Sequence, residues 1–460
     1  MQYEFKNKKI TVMGLGLFGG GVGVAQFFEK QGARVTVTDL RNAEELSSSI
    51  KQLEGLPVSY RLGGHCEEDF ADTDMVIVNP AVPKDSKYLQ IAQNNHVPIN
   101  TEINIFFQLC PAPIIGITGS NGKSTTTTLT GEILEETRRR TWIGGNIGKS
   151  LLGCLDEMKL TDIVVLELSS FQLEELNHTK KSPHISVVTN ISPNHLDRHA
   201  DMDEYIQAKK AIILHQGSGD YAILNYDDPE LRRWKKDCKG HVLWYSAKQA
   251  LANGAFIKSN DLIISVNGQN TAIPCVSSVK IPGIHNLQNI LAASCAAYLA
   301  GARKQHIEKA ITTFTGLEHR LEFVREVNGV RYYNDSKATT PESSIAAVTA
   351  FQAQVILIAG GYDKGSSFRE FAGVCAQHTK AVVLIGKTAG KIKELILKKK
   401  GSSVIPSIFM LKTFEEAFRQ ANALAKAGDV ILLSPACASY DMFLNYEERG
   451  RKFKDMVKAL

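Results

Sequence analysis

The chain has 460 residues, of which 43% are hydrophobic and 22% charged, and its formal net charge is +5. These values are ordinary for a globular protein with filled cores, and so small and evenly spread a basic excess gives no argument for nucleic-acid binding. The eight cysteines are scattered without a C-x-x-C pair, so we expect no disulfide framework. No apolar run approaches the roughly 20 residues of a membrane helix, and the opening segment has no signal-peptide core. We therefore expect a cytoplasmic protein without membrane insertion.

Short apolar runs typical of β-strands alternate with longer helical patterns along the chain. In the first 190 residues these runs are KITVMG, RVTVTD, DMVIVNP, PIIGITG, DIVVLELSS and HISVVTN. After residue 316 the runs are QVILIAGG, KAVVLIG and DVILLSPA. Because near-continuous apolar strands between helices indicate parallel sheets covered on both faces, the pattern predicts an α/β protein.

We place domain boundaries near residues 101 and 316, where the pattern changes. The chain then divides into three α/β domains, at 1–101, 102–316 and 317–460. We expect a Rossmann-like N-terminal domain, a central domain of the P-loop ATPase type, and a Rossmann-like C-terminal domain.

The first glycine-rich loop, MGLGLFGG at 13–20, follows the first predicted strand. Gly14, Gly16 and Gly19 match the dinucleotide-binding pattern G-x-G-x-x-G, and Asp39 closes the next strand where a ribose-binding acid is expected. Taken alone, this pattern favours a nicotinamide-dependent dehydrogenase.

A second glycine-rich loop, GITGSNGKSTTTT at 116–128, argues against that interpretation. Its strand, glycine turn, lysine and helical run are the arrangement of a phosphate-binding loop, although the spacing G-x-x-G-K-S is shorter than the common form. Lys123 can reach the outer phosphates of a nucleotide, and the Ser124 hydroxyl can bind Mg²⁺. A dehydrogenase needs no second phosphate loop, so we predict an ATP site here.

Two further polar side chains follow strands that are predicted to neighbour the phosphate-loop strand. Glu167 closes IVVLELSS, and His195 follows HISVVTN. Because carboxyl ends of parallel strands meet at one edge of a sheet, both could join Ser124 in a metal–phosphate cluster. The alternatives are a structural histidine at 195 and a helix-capping role for the nearby Asp197.

Five segments carry a resemblance that covers the chain from end to end. They are LELSSFQLE (166–174), NISPNHLDRH (190–199), PGIHNLQN (282–289), YNDSKATTP (333–341) and LLSPACASYDMFLNYEERG (432–450). With the phosphate loop, they identify the chain as a member of the Mur ligase family. The resemblance implies an ATP-dependent amide ligase of peptidoglycan precursor synthesis, a monomer, that adds D-glutamate to UDP-N-acetylmuramoyl-L-alanine through an acyl phosphate and uses two Mg²⁺ ions.

The resemblance also implies a role for particular residues of this chain. The catalytic residues are Lys123, His195, Lys209 and Lys337. The metal ligands are Ser124, Glu167, His195 and Lys209, the last as a carbamate formed with CO₂. The ATP-binding residues are Gly119, Ser120, Asn121, Gly122, Lys123, Ser124, Thr125, Asn286, Asn289, Arg320 and Asp335. The residues for the UDP-sugar are Leu17, Phe18, Gly19, Asp39, Arg41 and Asn146. The residues for glutamate are Lys337, Thr339, Lys364, Ser439 and Tyr446.

Several positions depart from the family pattern. Phe18 stands where a hydroxyl is common, Asn79-Pro80-Ala81 replaces Ser-Pro-Gly, the run Gly19–Gly23 is unusually rich in glycine, and Tyr362 stands where some members carry an aspartate. The alternatives to the favoured activity are a related Mur-type ligase that adds L-glutamate or uses another UDP-sugar, a folylpolyglutamate synthase, and a nucleotide-binding regulatory protein without turnover.

Overall fold

Three β-sheets organise the chain in the computed structural model, which describes residues 5–17, 19–80, 82–148, 150–193, 198–363, 365–398 and 406–460. The chain divides into two compact units. The first unit is 1–273 with 290–307, and the second unit is 274–289 with 308–460.

The first sheet has five parallel strands in the order β3-β2-β1-β4-β5. Its strands are β1 (Lys9–Met13), β2 (Arg34–Asp39), β3 (Val58–Leu62), β4 (Met75–Val78) and β5 (Ile99–Asn100). Its helices are α1 (Gly20–Lys30), α2 (Ser47–Lys51), α3 (Glu68–Ala71) and α4 (Lys87–Asn94), and α5 (Glu102–Leu109) follows β5. The strand order reverses between β1 and β4, and ligands of open α/β sheets bind beside such a point.

The second sheet has nine strands in the order β14-β13-β12-β11-β10-β9-β6-β8-β7. Its parallel part is β6 (Ile114–Thr118), β7 (Thr141–Gly145), β8 (Ile163–Glu167), β9 (Ile185–Val188), β10 (Tyr221–Asn225), β11 (His241–Ser246) and β12 (Gly254–Lys258). An antiparallel extension adds β13 (Asp261–Val266) and β14 (Gln269–Ile273). The α-helices within this segment are α6 (Lys123–Glu135), α7 (Ser170–His178), α8 (Met202–Leu214) and α9 (Pro229–Arg233).

Short 3₁₀ helices and two longer α-helices complete the middle of the chain. The 3₁₀ helices are Leu152–Glu157, Trp234–Asp237 and Val276–Ser278. The α-helices are α10 (Ile284–Leu299) and α11 (Lys304–Thr313), and each contains residues of both units.

The third sheet lies in the second unit and has six strands in the order β15-β16-β20-β17-β18-β19. Its strands are β15 (Glu322–Val327), β16 (Val330–Asn334), β17 (Val355–Gly360), β18 (Thr379–Ile385), β19 (Ser407–Met410) and β20 (Val430–Leu433). Only the β15–β16 pair is antiparallel. The helices are α12 (Pro341–Val348), α13 (Arg369–His378), α14 (Ala389–Leu397), α15 (Phe414–Leu424) and α16 (Tyr446–Lys458).

One hydrophobic core joins the first two sheets. Phe27 and Phe28 of α1 belong to the same buried cluster as Leu155 of the 3₁₀ helix and Val164 of β8. An ion pair between Lys30 Nζ and Asp156 Oδ2, 2.9 Å apart, lies along the same contact. The first hundred residues are therefore packed against the segment that follows them and share its core.

The α/β class predicted from the strand runs is confirmed, since all three sheets are mainly parallel with helices between the strands. The antiparallel extension β12–β14 was not among the predicted features. Across the described parts of the chain, no helix combines the length and the apolar character needed to cross a membrane.

We expect Phe28→Ala to lower the free energy of unfolding by about 3–5 kcal/mol, because it would remove a fully buried ring from the shared core. Leu160→Ala is the control, since Leu160 is 78% exposed and its truncation should change stability by less than about 0.5 kcal/mol. Urea denaturation of the three proteins measures both values. Equal, small effects would contradict the shared core.

Candidate functional site

The first glycine-rich loop ends in a helix N-terminus with no side-chain cap. Gly19 precedes α1 in the left-handed conformation, with φ 86°, and as a glycine it has no side chain to cap the first turn. The first N–H groups of a helix have no partner within the helix, and with the helix dipole they form a site for an anion. The loop therefore has the geometry of a diphosphate cradle.

Asp39 holds this loop through its buried carboxylate. Oδ2 accepts a hydrogen bond from the Gly16 N–H at 3.1 Å, and Oδ1 accepts one from the Arg41 N–H at 2.9 Å. The Arg41 guanidinium lies 3.7 Å from the same carboxylate. Both residues line a cavity of about 660 Å³, a volume in the range of small-molecule sites. Leu17, also predicted for the UDP-sugar, is 45% exposed.

The same cavity contains two rings that sequence reasoning did not identify. His65 and Tyr88 lie with their ring centroids 4.8 Å apart, and His65 Nδ1 is 2.6 Å from Thr38 Oγ1. Burial lowers the pKa of His65, although Asp39 and Asp69 oppose that shift. The sequence signal that could have identified His65 is its position after β3, at the same sheet edge as Asp39. These rings, inclined at 72° to each other, give the cavity an aromatic side.

The phosphate-binding loop connects β6 to α6. Gly119 is required there, since a Cβ at this position would lie 1.9 Å from Thr189 Oγ1. Gly122 caps α6 in the left-handed conformation, and the Lys123 ammonium donates to the carbonyls of Gly119 and Ser120 at 2.8 and 2.9 Å. The loop thus presents a helix N-terminus and a lysine to the same space, as predicted.

The neighbouring strand end holds the loop in place. The Asn121 N–H donates to Asn190 Oδ1 at 2.9 Å, and the Ser192 N–H donates to Ser120 Oγ at the same distance. Ser124 and Thr125 are both buried at the start of α6.

Lys209 is buried beside the phosphate loop. Its side chain on α8 is only 2% exposed, its Nζ donates to Thr118 Oγ1 at 3.3 Å, and it lies 4.8 Å from the ring centroid of Tyr205. Tyr205 in turn places its hydroxyl 3.0 Å from Ser120 Oγ. Burial lowers the pKa of Lys209 far below its usual value, Lys123 lowers it further, and Glu167 opposes both. The buried amine is therefore driven toward its neutral form.

Glu167 is the acidic partner of this cluster. It is 2% exposed at the end of β8, and its Oε1 accepts a hydrogen bond from Asn146 Nδ2 at 2.8 Å. Its Oε2 is buried and has no hydrogen-bond partner among the described residues. A buried carboxylate oxygen of this kind needs a hydrogen-bond donor or a cation beside it. Together with the Ser124 hydroxyl, it supplies the hard oxygen ligands that Mg²⁺ prefers. The donors present fit the metal that the resemblance implies.

Within the second unit, two buried asparagines lie at the start of α10. Asn286 Nδ2 donates to the Pro282 carbonyl at 2.7 Å, and Asn289 Nδ2 donates to Asn286 Oδ1 at 3.2 Å. Their amides are held in fixed orientations, which suits recognition of a planar base edge.

Asp335, at the end of β16, is buried near Arg320. Its carboxylate accepts hydrogen bonds from the Leu321 N–H at 3.0 Å and the Ser434 hydroxyl at 2.7 Å. Burial raises the pKa of Asp335 to about 7, although these two hydrogen bonds and Arg320 oppose the shift. The second unit thus brings this predicted pair together.

Three of the predicted glutamate residues, Lys337, Thr339 and Ser439, lie on two segments that Arg449 joins. Arg449 is 1% exposed, and its guanidinium donates to the Ser336 hydroxyl at 2.9 Å, the Ser336 carbonyl at 2.8 Å and the Cys437 carbonyl at 3.3 Å. It therefore connects the segment containing Lys337 and Thr339 with the segment containing Ser439. Arg449 was missed by sequence reasoning, although it lies inside one of the five quoted segments.

A cation–aromatic contact completes this group. Lys337 Nζ lies 5.5 Å from the ring centroid of Tyr446, and Ser439 is buried in the loop before α16. Three predicted residues, Phe18, His195 and Lys364, lie outside the described residues, so their roles stay predictions.

We expect stability to depend on pH through Asp335. Its pKa of about 7 in the folded chain exceeds the unfolded value of about 3.9, so the folded state binds the proton more tightly. That contribution is fully present below about pH 4 and is lost as pH rises through 7. Relative to Asp335→Asn, the natural chain should therefore lose stability between about pH 4 and about pH 7.

Urea denaturation across that range measures this difference. Glu370→Gln, at an exposed position of the same unit, is the control and should follow the natural chain. Parallel curves for Asp335→Asn and the natural chain would show that Asp335 is ionised in the folded state throughout.

Comparison with known proteins agrees with this arrangement. Three family models match in chain order: the Mur ligase MurD-like N-terminal domain at 8–101, the Mur ligase middle domain at 117–297, and the Mur ligase glutamate ligase domain at 319–437. Among solved structures, the UDP-N-acetylmuramate-alanine ligase of Thermotoga maritima superposes with a TM-score of 0.61 at 18% identity, covering 98% of this chain and 100% of that one. That similarity is one of fold.

Curated relatives are much closer in sequence. A protein of Thermoanaerobacter pseudethanolicus named UDP-N-acetylmuramoylalanine–D-glutamate ligase is 42% identical over 99% of both chains. A protein of the same name from a Roseiflexus species is 44% identical, again over 99% of both. With this identity along almost the whole length and three family models matched in order, the chain belongs to the Mur ligase family.

Proposed function

We propose that this chain is an ATP-dependent ligase that joins D-glutamate to UDP-N-acetylmuramoyl-L-alanine. The observation that carries the proposal is the cluster of Lys123, Glu167 and Lys209 around the phosphate loop, in a chain 42% identical to ligases of that name. We also propose the boundaries 1–101, 102–316 and 317–460. The scattered cysteines, none of which forms a disulfide in the described parts of the chain, support a reducing compartment such as the cytoplasm.

The central task is to bring two anions together. The substrate carboxylate must approach the γ-phosphate of ATP against their mutual repulsion. Lys123, with the N–H groups at the start of α6, neutralises phosphate charge, and such fixed electrostatic stabilisation is commonly the largest catalytic contribution. Mg²⁺, held by Ser124 and Glu167 with His195 and Lys209, would supply further positive charge when bound.

The reaction proceeds in two steps. A carboxylate oxygen attacks the γ-phosphorus, the bond from that phosphorus to ADP breaks, and an acyl phosphate forms. The neutral amine of glutamate then attacks the acyl carbon, phosphate leaves, and the amine loses a proton. Lys337, Thr339, Lys364 and Ser439 would hold the carboxylates of glutamate through charge-assisted and hydroxyl hydrogen bonds, beside Tyr446.

Each nucleotide has its own set of contacts in this proposal. The cradle at Gly19 takes the diphosphate of the UDP-sugar, with Leu17, Phe18, Asp39 and Arg41 around it, and Asn146 contacts the muramoyl part. Asn286 and Asn289 face adenine, and Arg320 and Asp335 contact the phosphates and ribose of ATP.

The decisive test measures phosphate release from ATP with each UDP-sugar and each glutamate enantiomer added in turn. We expect turnover with UDP-N-acetylmuramoyl-L-alanine and D-glutamate. Lys123→Ala should lower turnover by about 10²–10³-fold, because the ammonium that neutralises phosphate is removed, while calorimetry still detects the UDP-sugar. Normal turnover of folded Lys123→Ala would contradict the ATP site, and faster turnover of L-glutamate would favour the alternative ligase.

We further propose that Lys209 carries a carbamate. Burial and the nearby Lys123 hold its amine toward the neutral form, and a neutral amine adds to CO₂, forming a nitrogen–carbon bond and releasing one proton. The resulting anion replaces a cation beside Glu167 and can bind metal. An unmodified ammonium would be repelled by Mg²⁺ at this position.

Comparison of two adjacent lysines tests this step. Lys209→Ala should reduce turnover by about a hundredfold or more, whereas Lys210→Ala should change it little, because Lys210 pairs with Asp237 at 2.5 Å. After incubation with ¹³C-bicarbonate, the natural chain should give a carbamate carbon signal that Lys209→Ala lacks. Equal, mild effects of the two substitutions, or the same signal in both proteins, would contradict the carbamate.

A further inference from the structure

A glycine in α1 meets a serine of the following domain at unusually close range. A Cβ on Gly23 would lie 2.5 Å from Ser150 Cβ and 2.9 Å from Ser150 Oγ. Gly23 has ordinary helical geometry, where alanine is the preferred residue. The glycine is therefore explained by the approach of Ser150, which leaves no room for a larger residue.

The contact lies between two parts of the substrate site. Gly23 stands one helical turn after Gly19, whose N–H side forms the diphosphate cradle. Ser150 stands four positions after Asn146, which bonds to Glu167 through both its backbone N–H and its side chain, each at 2.8 Å. Gly23 is thus one helical turn from the cradle, and Ser150 is close in sequence to the residue that bonds to Glu167.

Further contacts make this connection stiff. Ser150 Oγ accepts a hydrogen bond from the Leu152 N–H at 3.3 Å, at the start of the 3₁₀ helix. That 3₁₀ helix packs along α1 and ends its contact at the Lys30–Asp156 ion pair. Helix α1 therefore contacts this segment at Gly23 and again at Lys30, its last residue, so a shift at Gly23 displaces a packed surface and not one side chain alone.

We propose that Gly23 is a positioning residue whose contact with Ser150 sets the distance between the diphosphate cradle and the Asn146–Glu167 pair. The site then accepts a nucleotide sugar whose diphosphate and reacting carboxylate are separated by that distance. This inference rests on the proposed function and adds the residue pair that selects substrate length.

The first experiment enlarges the contact. Gly23→Ala should raise the KM for UDP-N-acetylmuramoyl-L-alanine about tenfold, because a displacement of an ångström or less at a positioning contact already weakens catalysis. The KM for ATP should not change, and calorimetry should give the same affinity for UDP alone, since UDP reaches only one end of the contact. Gly153→Ala is the matched control, because a Cβ there meets nothing within 4 Å.

The second experiment removes the side chain of Ser150, with which the methyl group added at residue 23 would collide. In Gly23→Ala/Ser150→Gly the nearest remaining atom would be the Cα of residue 150 at 3.9 Å, an ordinary contact. The double variant should return the KM most of the way to its natural value. If Gly23→Ala does not fold, Ser150→Thr enlarges the same contact from the other side and should raise the same KM.

The outcomes separate the inference from the function on which it rests. A natural chain that does not turn over this UDP-sugar overturns the proposed function. A natural chain that does, with an unchanged KM in Gly23→Ala, overturns the positioning role. Equal losses for UDP and the UDP-sugar, or no recovery in the double variant, also overturn it, because the contact would then serve the nucleotide alone or act elsewhere.

Discussion

Charge balance at the carboxyl end of β6 constrains the whole central site. Two lysines, Lys123 and Lys209, meet one buried carboxylate, Glu167, in a space from which water is largely removed. A low-polarity environment makes each of these charges costly unless it is compensated. Burial is the main cause of the depressed pKa of Lys209, and the charge of Lys123 adds to it. Glu167 opposes both effects and keeps one oxygen without a hydrogen-bond partner among the described residues.

Glycine permits close packing in two different ways, in the phosphate loop and in α1. In the phosphate loop, Gly119 admits Thr189 from the adjacent strand end, so the loop is fixed from behind. In α1, Gly23 admits Ser150, so a whole helix is fixed from its side. The glycine-rich run that looked like a departure from the family pattern is thus accounted for at Gly23 by packing between neighbouring sheets.

Sequence periodicity was sufficient for the class of fold, because buried parallel strands are continuous apolar runs that stand out from helices. It was also sufficient for the phosphate loop, whose glycines and lysine are adjacent in the chain. Residues that act through distant contacts left weaker signals. Nothing local marks Arg449 as the link between two segments or His65 as a wall of the nucleotide cavity. The burial of Lys209 depends on Tyr205 and Thr118, which the pattern of α8 does not reveal.

The core shared by Phe28, Leu155 and Val164 has a consequence for how the chain is made on the ribosome. The first sheet emerges before the strands that cover it, so its apolar face stays open while β6 to β8 are synthesised. A fragment that ends at the first domain boundary would keep that face permanently exposed and would be prone to aggregation. The boundary at residue 101 therefore does not end the hydrophobic core, which continues into the segment that follows.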